Sequence, residues 1–230
     1  MPRALIVGAS RGLGFEFAKQ YADDGWRVLA THRAPADADR LRAIGAHPIA
    51  LDVLDPNAPA ALTAASDAAL AQPAALELAI VNAGIHGPRQ VRIEHPPSTA
   101  DFDSVMHTNV LGPMRLLAVL VQPLETAKGT LALITSRMGS VSAASTPNSL
   151  LYRVSKAAEN MLAKAAHVEL SARGVRVLAL HPGWVRTDMG GPNADVDIEE
   201  SVRGMRRVLG DPVSYPGGCF FDHRGEALAW

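Results

Sequence analysis

Short apolar segments alternate along this chain with longer segments of helical periodicity. The apolar runs occupy residues 3–9, 26–31, 47–53, 76–83, 129–136 and 175–182, and most are unbroken rather than alternating. The helical segments occupy residues 12–24, 59–71, 99–126, 149–172 and 197–208. Strands that are apolar on both faces are typical of a parallel sheet covered by helices on both sides. The sequence therefore predicts an α/β fold of three layers, built on a doubly wound parallel sheet.

Length and charge restrict what such a chain can do. Its 230 residues suffice for one hydrophobic core, and we find no linker or internal repeat, so we predict a single domain over 1–230. The formal net charge is −1 and no run of like charges appears, which argues against a nucleic acid or an anionic membrane as partner. We expect a small-molecule substrate instead.

Cysteine, histidine and hydropathy patterns exclude further classes. Cys219 is the single cysteine, so neither an intrachain disulfide nor a cysteine metal cage can form, and no histidine pair has HxxxH spacing. The most apolar stretch, 110–124, is broken by Arg115 and two prolines and falls short of a membrane span. The N-terminal apolar run is too short for a secretory signal. We expect no metal and a cytoplasmic protein.

Three glycines, Gly8, Gly12 and Gly14, join the first apolar run to the first helical segment. Glycine lets the backbone turn tightly and approach a pyrophosphate, while the helix offers unpaired N–H groups and the positive end of its dipole. This context predicts a dinucleotide site. The alternative is a tight strand–helix turn without a ligand.

The end of the second strand discriminates between the two nicotinamide dinucleotides. An acidic residue there would bind the ribose 2′-hydroxyl of NAD, but this chain has His32 and Arg33, and Arg11 lies in the glycine loop. Two guanidinium groups beside one 2′-phosphate predict NADP(H) preferred over NAD(H), unless both are solvated surface residues. Asp52, which ends the third run, is either an acceptor for the adenine amino group or a helix-capping residue.

Tyr152 and Lys156 lie four residues apart in a predicted helix, so both side chains project from one face. A nearby ammonium stabilises a phenolate, and we therefore expect Lys156 to lower the pKa of Tyr152. Such a phenol can give a proton to a carbonyl oxygen or, in reverse, take one from an alcohol. Because this spacing is common, two exposed residues on one helix face are the alternative.

Two further polar residues accompany this pair. Ser136 ends the fifth apolar run, and its hydroxyl can hold a substrate oxygen; a serine that caps a turn is the alternative. Asn109 is a poor helix former inside a predicted helix, which suggests a polar task such as holding a water that feeds protons toward Lys156. The alternative is a helix irregularity relieved at Gly112 and Pro113.

These motifs, in this order, resemble the short-chain dehydrogenase/reductase family, and within it the C-factor-like and sniffer-like carbonyl reductase branch. The segments that carry the resemblance are GASRGLG, NAG, Asn109, TSRMGS, YRVSKAAEN and HPGWVRTDMGGPNA. The family implies a Rossmann-type parallel sheet of seven strands in the order 3-2-1-4-5-6-7. It also implies a homodimer or homotetramer, and we expect a modest substrate lid over residues 188–202.

The resemblance assigns roles to individual residues. It implies a catalytic group of Asn109, Ser136, Tyr152 and Lys156, with Lys156 also gripping the nicotinamide ribose, and it places four residues from Pro182 to Thr187 beside the nicotinamide carboxamide. The expected cofactor contacts are Gly8, Ser10, Arg11, Gly12, Leu13, Gly14, His32, Arg33, Asp52, Val53, Asn82, Ala83, Gly84, Tyr152, Lys156, Pro182, Gly183, Val185 and Thr187.

The leading hypothesis for function is an NADPH-dependent reductase of an aldehyde or ketone. Two alternatives stay open, since fold does not fix function. The first is NAD(P)-dependent oxidation of an alcohol by the same residues. The second is a non-catalytic nucleotide-binding signalling protein of the C-factor type. The presence of all four polar residues favours an enzyme.

Overall fold

The computed structural model describes residues 1–70 and 75–230. Within them, seven strands form one sheet in the order β3-β2-β1-β4-β5-β6-β7, and every neighbouring pair is parallel. The strands are β1 Arg3–Val7, β2 Arg27–His32, β3 His47–Ala50, β4 Leu78–Val81, β5 Thr130–Ile134, β6 Arg176–His181 and β7 Phe220–Asp222. The predicted fold class and strand order are confirmed.

Helices cover both faces of the sheet. They are α1 Gly12–Asp23, α2 Pro35–Ala43, α3 Ala58–Ala69, α4 Thr99–Met106, α5 Gly112–Ala127, α6 Leu150–Leu170 and α7 Ile198–Gly210. Alternate residues of β1 belong to different apolar clusters, Leu5 and Val7 to one, Ala4 and Ile6 to the other. The first cluster includes side chains of α3, α5 and α6, and the second includes side chains of α1, α2 and α7. This division produces the three predicted layers.

Two helical segments differ from the sequence prediction. Helix α2 was not predicted, because it is short and polar and buries only Ala38 and Leu41. The segment 99–126, predicted as one helix, is interrupted by a π-helical turn at His107–Leu111. The predicted helix 59–71 corresponds to α3, although its last residue, Ala71, lies outside the described residues.

The apolar helical stretch Thr99–Ala127 meets the length and hydropathy of a membrane span, contrary to the prediction from its shorter central part. Its apolar side nevertheless packs inside the protein. Leu116, Leu120 and Leu124 are buried in the same cluster as β1 and β5 residues. The stretch is therefore a core helix of this fold.

Candidate active site

A cleft of about 710 Å³ lies across the carboxyl ends of the central strands, the edge where open α/β sheets bind ligands. Many of the predicted site residues line it: Gly8, Ser10, Arg11, Gly12, Leu13, His32, Arg33, Asp52, Val53, Asn82, Ala83, Gly84, Tyr152, Lys156, Pro182 and Thr187. The remaining predicted residues lie outside this lining: Gly14, Asn109, Ser136, Gly183 and Val185. Both ends of the predicted site therefore belong to one cleft.

The glycine loop at one end of the cleft packs closely against neighbouring backbone atoms. Gly8 has φ of +84°, and a Cβ there would lie 2.8 Å from the Cα of Ala83. A Cβ on Gly14 would lie 2.0 Å from the carbonyl oxygen of Gly8. The amide of Asn82 donates to that same oxygen at 2.8 Å and braces the loop. The loop opens α1, so its shape and its free N–H groups fit a dinucleotide phosphate.

The predicted 2′-phosphate residues all reach the cleft, but their partners differ. Arg33 is exposed, whereas His32 is buried and its Nδ1 lies 3.0 Å from the carbonyl oxygen of Ala34. Arg11 forms an ion pair with Asp188 across the mouth of the cleft. The side chains of both members of this pair are more than two-thirds exposed, at 70% and 74%, so breaking it costs little, about 0–1 kcal/mol.

The helix-capping interpretation of Asp52 is wrong, because the next helix, α3, begins only at Ala58 and Asn57 precedes it. The Oδ1 of Asp52 accepts a hydrogen bond from the backbone N–H of Leu54 at 3.0 Å, as a turn-capping aspartate would. The residue also lines the cleft beside Val53. Strand β3 ends at Ala50, so Asp52 stands in the loop beyond the sheet rather than at the end of a longer strand.

Close backbone packing brings Ser136 to the helix that carries Tyr152 and Lys156. A 3₁₀ turn, Arg137–Gly139, follows β5, and Ser136 precedes it with its hydroxyl accepting from the N–H of Met138 at 3.1 Å. A Cβ on Gly139 would lie 2.5 Å from the carbonyl carbon of Lys156. The turn therefore lies directly on α6, which sets Ser136 beside the Tyr152–Lys156 face.

Tyr152 is buried at the cleft wall, and its ring stacks on His86 with centroids 4.5 Å apart. Burial raises the pKa of the Tyr152 phenol above its ordinary value, while Lys156 lowers it and Glu159 raises it. The expected lowering by Lys156 is therefore present, but the expected net direction is wrong. Burial outweighs the ammonium because the phenol sits on the covered face of α6.

The ammonium of Lys156 is held by two protein acceptors. It donates to the Glu159 carboxylate at 2.5 Å and to the carbonyl oxygen of Ile134 at 3.1 Å. Burial acts to lower the pKa of Lys156, but the charge of Glu159, together with that of Tyr152 when it is a phenolate, raises it above its ordinary value. Burial raises the pKa of Glu159 above its ordinary value, while Lys156 lowers it, so the two side chains form one buried pair in which each favours the charge of the other.

Asn109 anchors the chain that follows β4. It is fully buried in the π-helical turn, where its Oδ1 accepts from the N–H of Ile85 at 2.8 Å. Its amide donates to the carbonyl oxygen of Ile85 at 2.8 Å and to the Ser155 hydroxyl at 2.9 Å. Both amide hydrogens are therefore used by protein groups. A polar task for the side chain is therefore present, since it fastens the chain after β4 to α6.

The segment after β6 forms the far wall of the cleft. Pro182 and Thr187 line it, and the carbonyl oxygen of Pro182 accepts from the Ser201 hydroxyl at 2.6 Å. Val185 is buried and pairs with Val196 in an isolated bridge. Gly183 packs so closely on His223 that a Cβ would lie 2.9 Å from its ring. Val185 and Gly183 therefore support this wall without lining the cleft themselves.

The predicted lid, 188–202, has two parts. Residues 188–197 form an irregular loop, and α7 begins at Ile198. The loop is attached to the opposite side of the cleft twice, by the Arg11–Asp188 pair and by a hydrogen bond from Arg89 to the carbonyl oxygen of Met189 at 2.6 Å. These contacts lay the loop across the mouth of the cleft.

Several residues of this site were missed from the sequence. Glu159 carried a signal, since it lies three residues after Lys156 and therefore on the same helix face. Ser155, which donates to the carbonyl oxygen of Tyr152 at 2.8 Å, carried little, because a serine in a helix is ordinary. His86 and Arg89 carried none, because only the fold brings the chain after β4 to α6.

Within residues 1–70 and 75–230, no group of three or more histidine, cysteine, aspartate or glutamate side chains could hold a metal ion.

Comparison with known proteins identifies the family of this chain. The family model described as short chain dehydrogenase matches residues 2–196. C-signal of Myxococcus xanthus is 40% identical over 132 residues, which cover 57% of this chain and 80% of that protein. The NADPH-bound carbonyl reductase from chicken fatty liver is 31% identical with a TM-score of 0.91, covering 100% of this chain and 99% of that one. Carbonyl reductase Sniffer of D. melanogaster is 26% identical with a TM-score of 0.91, covering 100% of each chain.

The family match extends from the first strand to the loop before α7 and so includes the glycine loop, the Tyr152–Lys156 pair and most of the cleft wall. The chain therefore belongs to the short-chain dehydrogenase/reductase family and is an oxidoreductase that acts on a small molecule with a nicotinamide dinucleotide.

Proposed function

We propose that this protein is an NADPH-dependent reductase that converts an aldehyde or ketone to an alcohol, with Tyr152 as the general acid. The observation that carries the proposal is the joint position of Tyr152 and Lys156 on the wall of the cleft that also contains the glycine loop. The likeness to a carbonyl reductase with bound NADPH and to Sniffer supports the same reaction.

The proposed chemistry assigns one task to each polar residue. Bound NADPH would supply the hydride. Tyr152 gives its phenol proton to the carbonyl oxygen, and its raised pKa keeps the phenol protonated at neutral pH, which is the form that reduction uses. The Lys156 ammonium stabilises the phenolate that this transfer leaves behind. The Ser136 hydroxyl holds the carbonyl oxygen in place.

Asn109 completes the group as a positioning residue. Its amide ties the backbone of Ile85 to the hydroxyl of Ser155, which in turn bonds to the backbone of Tyr152. Through these bonds Asn109 sets the distance between the chain after β4 and the helix that carries the proton donor.

The cofactor would be held by residues along the whole cleft. The glycine loop and the N-terminus of α1 would bind the pyrophosphate, Asp52 and Val53 the adenine, and the backbone from Asn82 to Gly84 the middle of the molecule. Lys156 would grip the nicotinamide ribose. Pro182, Gly183, Val185 and Thr187 would form the wall beside the nicotinamide ring.

Preference for NADPH is part of the proposal. Arg33 and Arg11 both reach the end of the cleft where the 2′-phosphate would lie, and His32 supports the strand end between them. Arg11 would exchange the Asp188 carboxylate for the phosphate, an exchange of one exposed anion for another. Because the loop after β6 is held by this same pair, cofactor binding would also free one attachment of the lid.

A panel of aldehydes and ketones, assayed by the consumption of NADPH or NADH, tests the function directly. We expect turnover of at least one class of carbonyl compound, with kcat/KM higher for NADPH than for NADH. A ratio below one would reject the cofactor assignment. Oxidation of alcohols with NADP⁺, without reduction of any carbonyl compound, would favour the oxidative alternative. Cofactor binding with no turnover in either direction would favour the non-catalytic alternative.

We further propose a homodimer or homotetramer in the cytoplasm. Four apolar side chains of α5 and α6 are exposed and so available to a second copy: Met114, Val154, Met161 and Val168. A single cysteine suits a reducing compartment. Light scattering after size exclusion should give two or four times the chain mass of 24.3 kDa, and a monomer would contradict the proposal.

A further inference from the structure

Glu159 is a buried carboxylate whose presence is not explained by a contribution to the stability of the fold. Its side chain has no exposed surface, and one oxygen accepts from Lys156 at 2.5 Å. Within the described residues its other oxygen, Oε1, has no hydrogen-bond partner. A buried ion pair is weak evidence for stability, because removing two charges from water costs about as much as their attraction returns. An unpaired oxygen adds to that cost.

The position of Glu159 links it to the proton donor. Tyr152, Lys156 and Glu159 stand at i, i+4 and i+7 of α6, so all three lie on the buried face of one helix. The Lys156 ammonium lies 5.8 Å from the centroid of the Tyr152 ring. The Glu159 charge by itself raises the pKa of the Tyr152 phenol, whereas Lys156 lowers it, so any support that Glu159 gives to the phenolate must come through the lysine.

Two acceptors define the direction of the Lys156 ammonium. An ammonium has three N–H bonds, of which Glu159 and the carbonyl oxygen of Ile134 take two. Lys156 also lines the cleft, and its Nζ would lie 3.5 Å from a Cβ placed on Gly84. The third N–H is therefore left for the cleft side.

We propose that Glu159 is a positioning residue that keeps Lys156 protonated and aims its ammonium at the cleft. The proposal rests on the function proposed above, because it matters only if Lys156 supports proton transfer from Tyr152. Without the Glu159 charge, the buried amine loses its main compensation for leaving water, and it gives up its proton at lower pH. A neutral amine no longer stabilises the phenolate that reduction leaves on Tyr152.

Other ionisable groups near the pair do not replace Glu159. From the chain after β4, the His86 ring stacks on Tyr152, and the Arg89 charge acts on the phenol. Burial lowers the pKa of His86, so this ring is neutral at working pH. Strand β5 and the two residues after it contribute Ile134, Thr135 and Ser136, which carry no charge. The π-helical turn contributes the buried, uncharged Asn109, and its histidine, His107, is exposed. Glu159 is thus the anion that Lys156 depends on.

The first test reads Lys156 in the protein without cofactor. The chain contains four lysines, so a ¹³C-lysine-labelled sample gives few Cε resonances, and the one missing in Lys156→Met assigns Lys156. We expect this resonance to titrate at lower pH in Glu159→Gln than in the wild type. Glu159→Asp keeps the charge and should titrate close to the wild type. Equal midpoints for Glu159→Gln and the wild type, or a wild-type Lys156 already neutral at pH 7, would overturn the proposal.

The second test reads the reaction across pH. We expect Glu159→Gln to lower kcat for carbonyl reduction, with a loss that grows with rising pH and reaches about tenfold or more on the alkaline side. If Glu159 had only a structural role, kcat per folded molecule would fall by the same factor at every pH. The matched control is Glu169→Gln, which removes an exposed carboxylate from the same helix and should leave the profile unchanged.

The two hypotheses fail in different ways. Full activity of Tyr152→Phe would remove the proposed function, whatever Glu159 does. Loss of activity in Tyr152→Phe, together with a wild-type titration and pH profile in Glu159→Gln, would remove the role of Glu159 alone.

Discussion

Replacing Tyr152 by phenylalanine should lower kcat for carbonyl reduction by about 10²–10⁴, the usual contribution of a general acid. Phenylalanine keeps the ring that stacks on His86 and fills the same buried space, so the fold and the cleft wall should persist. The loss would therefore come from the missing hydroxyl. Steady-state kinetics with the best carbonyl of the panel, and NADPH binding followed by fluorescence, separate chemistry from binding.

Tyr215→Phe is the matched control for this prediction. Tyr215 is half-buried and packs edge-on against Phe221, on the sheet face covered by α7 and away from the cleft wall. Tyr215→Phe removes the same phenol oxygen as Tyr152→Phe, and we expect no change in kcat. Equal rates for Tyr152→Phe and the wild type would show that the proton comes from another donor.

Replacing Gly14 by alanine should abolish measurable NADPH binding and destabilise the fold by about 1–3 kcal/mol, the usual cost of overpacking. The added Cβ would lie 2.0 Å from the carbonyl oxygen of Gly8 and 2.7 Å from the amide nitrogen of Asn82. Neither neighbour can yield cheaply, because the first is backbone and the second braces it. Fluorescence titration with NADPH and urea unfolding measure the two effects.

Gly210→Ala provides the comparison. Gly210 ends α7, and a Cβ there meets nothing within 4 Å, so the same substitution should change the free energy of unfolding by less than about 0.5 kcal/mol. It should leave NADPH binding unaltered. If Gly14→Ala bound NADPH like the wild type, the loop would be able to move away from α1, and the close packing would not be what forms the phosphate cradle.

Much of the fold could be predicted from the sequence because its strands are apolar on both faces. Each predicted strand overlaps an observed one. Strand β2 has the predicted length but lies one residue later, at Arg27–His32, and the others are shorter than predicted. Leu51 and Val53 extend the third apolar run, yet β3 ends at Ala50, because the ladder with β2 ends there. Both side chains are buried in the loop beyond the sheet. The hydropathy of a segment indicates that its side chains are buried. How far its backbone continues to pair in the sheet depends on the length of the neighbouring strand.

The missing elements have equally local reasons. Helix α2 buries only Ala38 and Leu41 of a polar segment, so its hydrophobic periodicity is too weak to indicate a helix. The π-helical turn at Asn109 adds one residue to the backbone ring of each hydrogen bond, a change that leaves no pattern in a single sequence. The sequence indicated only that Asn109, a poor helix former, lies inside a predicted helix.

The order of the elements, the glycines that let backbone meet backbone, and the shared helix face of Tyr152 and Lys156 were all determined by the sequence, because each depends on local geometry. The charge state of the site was decided only by the tertiary structure. Burial raises the pKa of Tyr152 against the effect of Lys156, Glu159 holds the lysine as a cation, and Asp188 meets Arg11 across the cleft. Electrostatic energies depend on distance and on exclusion of water, and neither exists until distant segments have packed together.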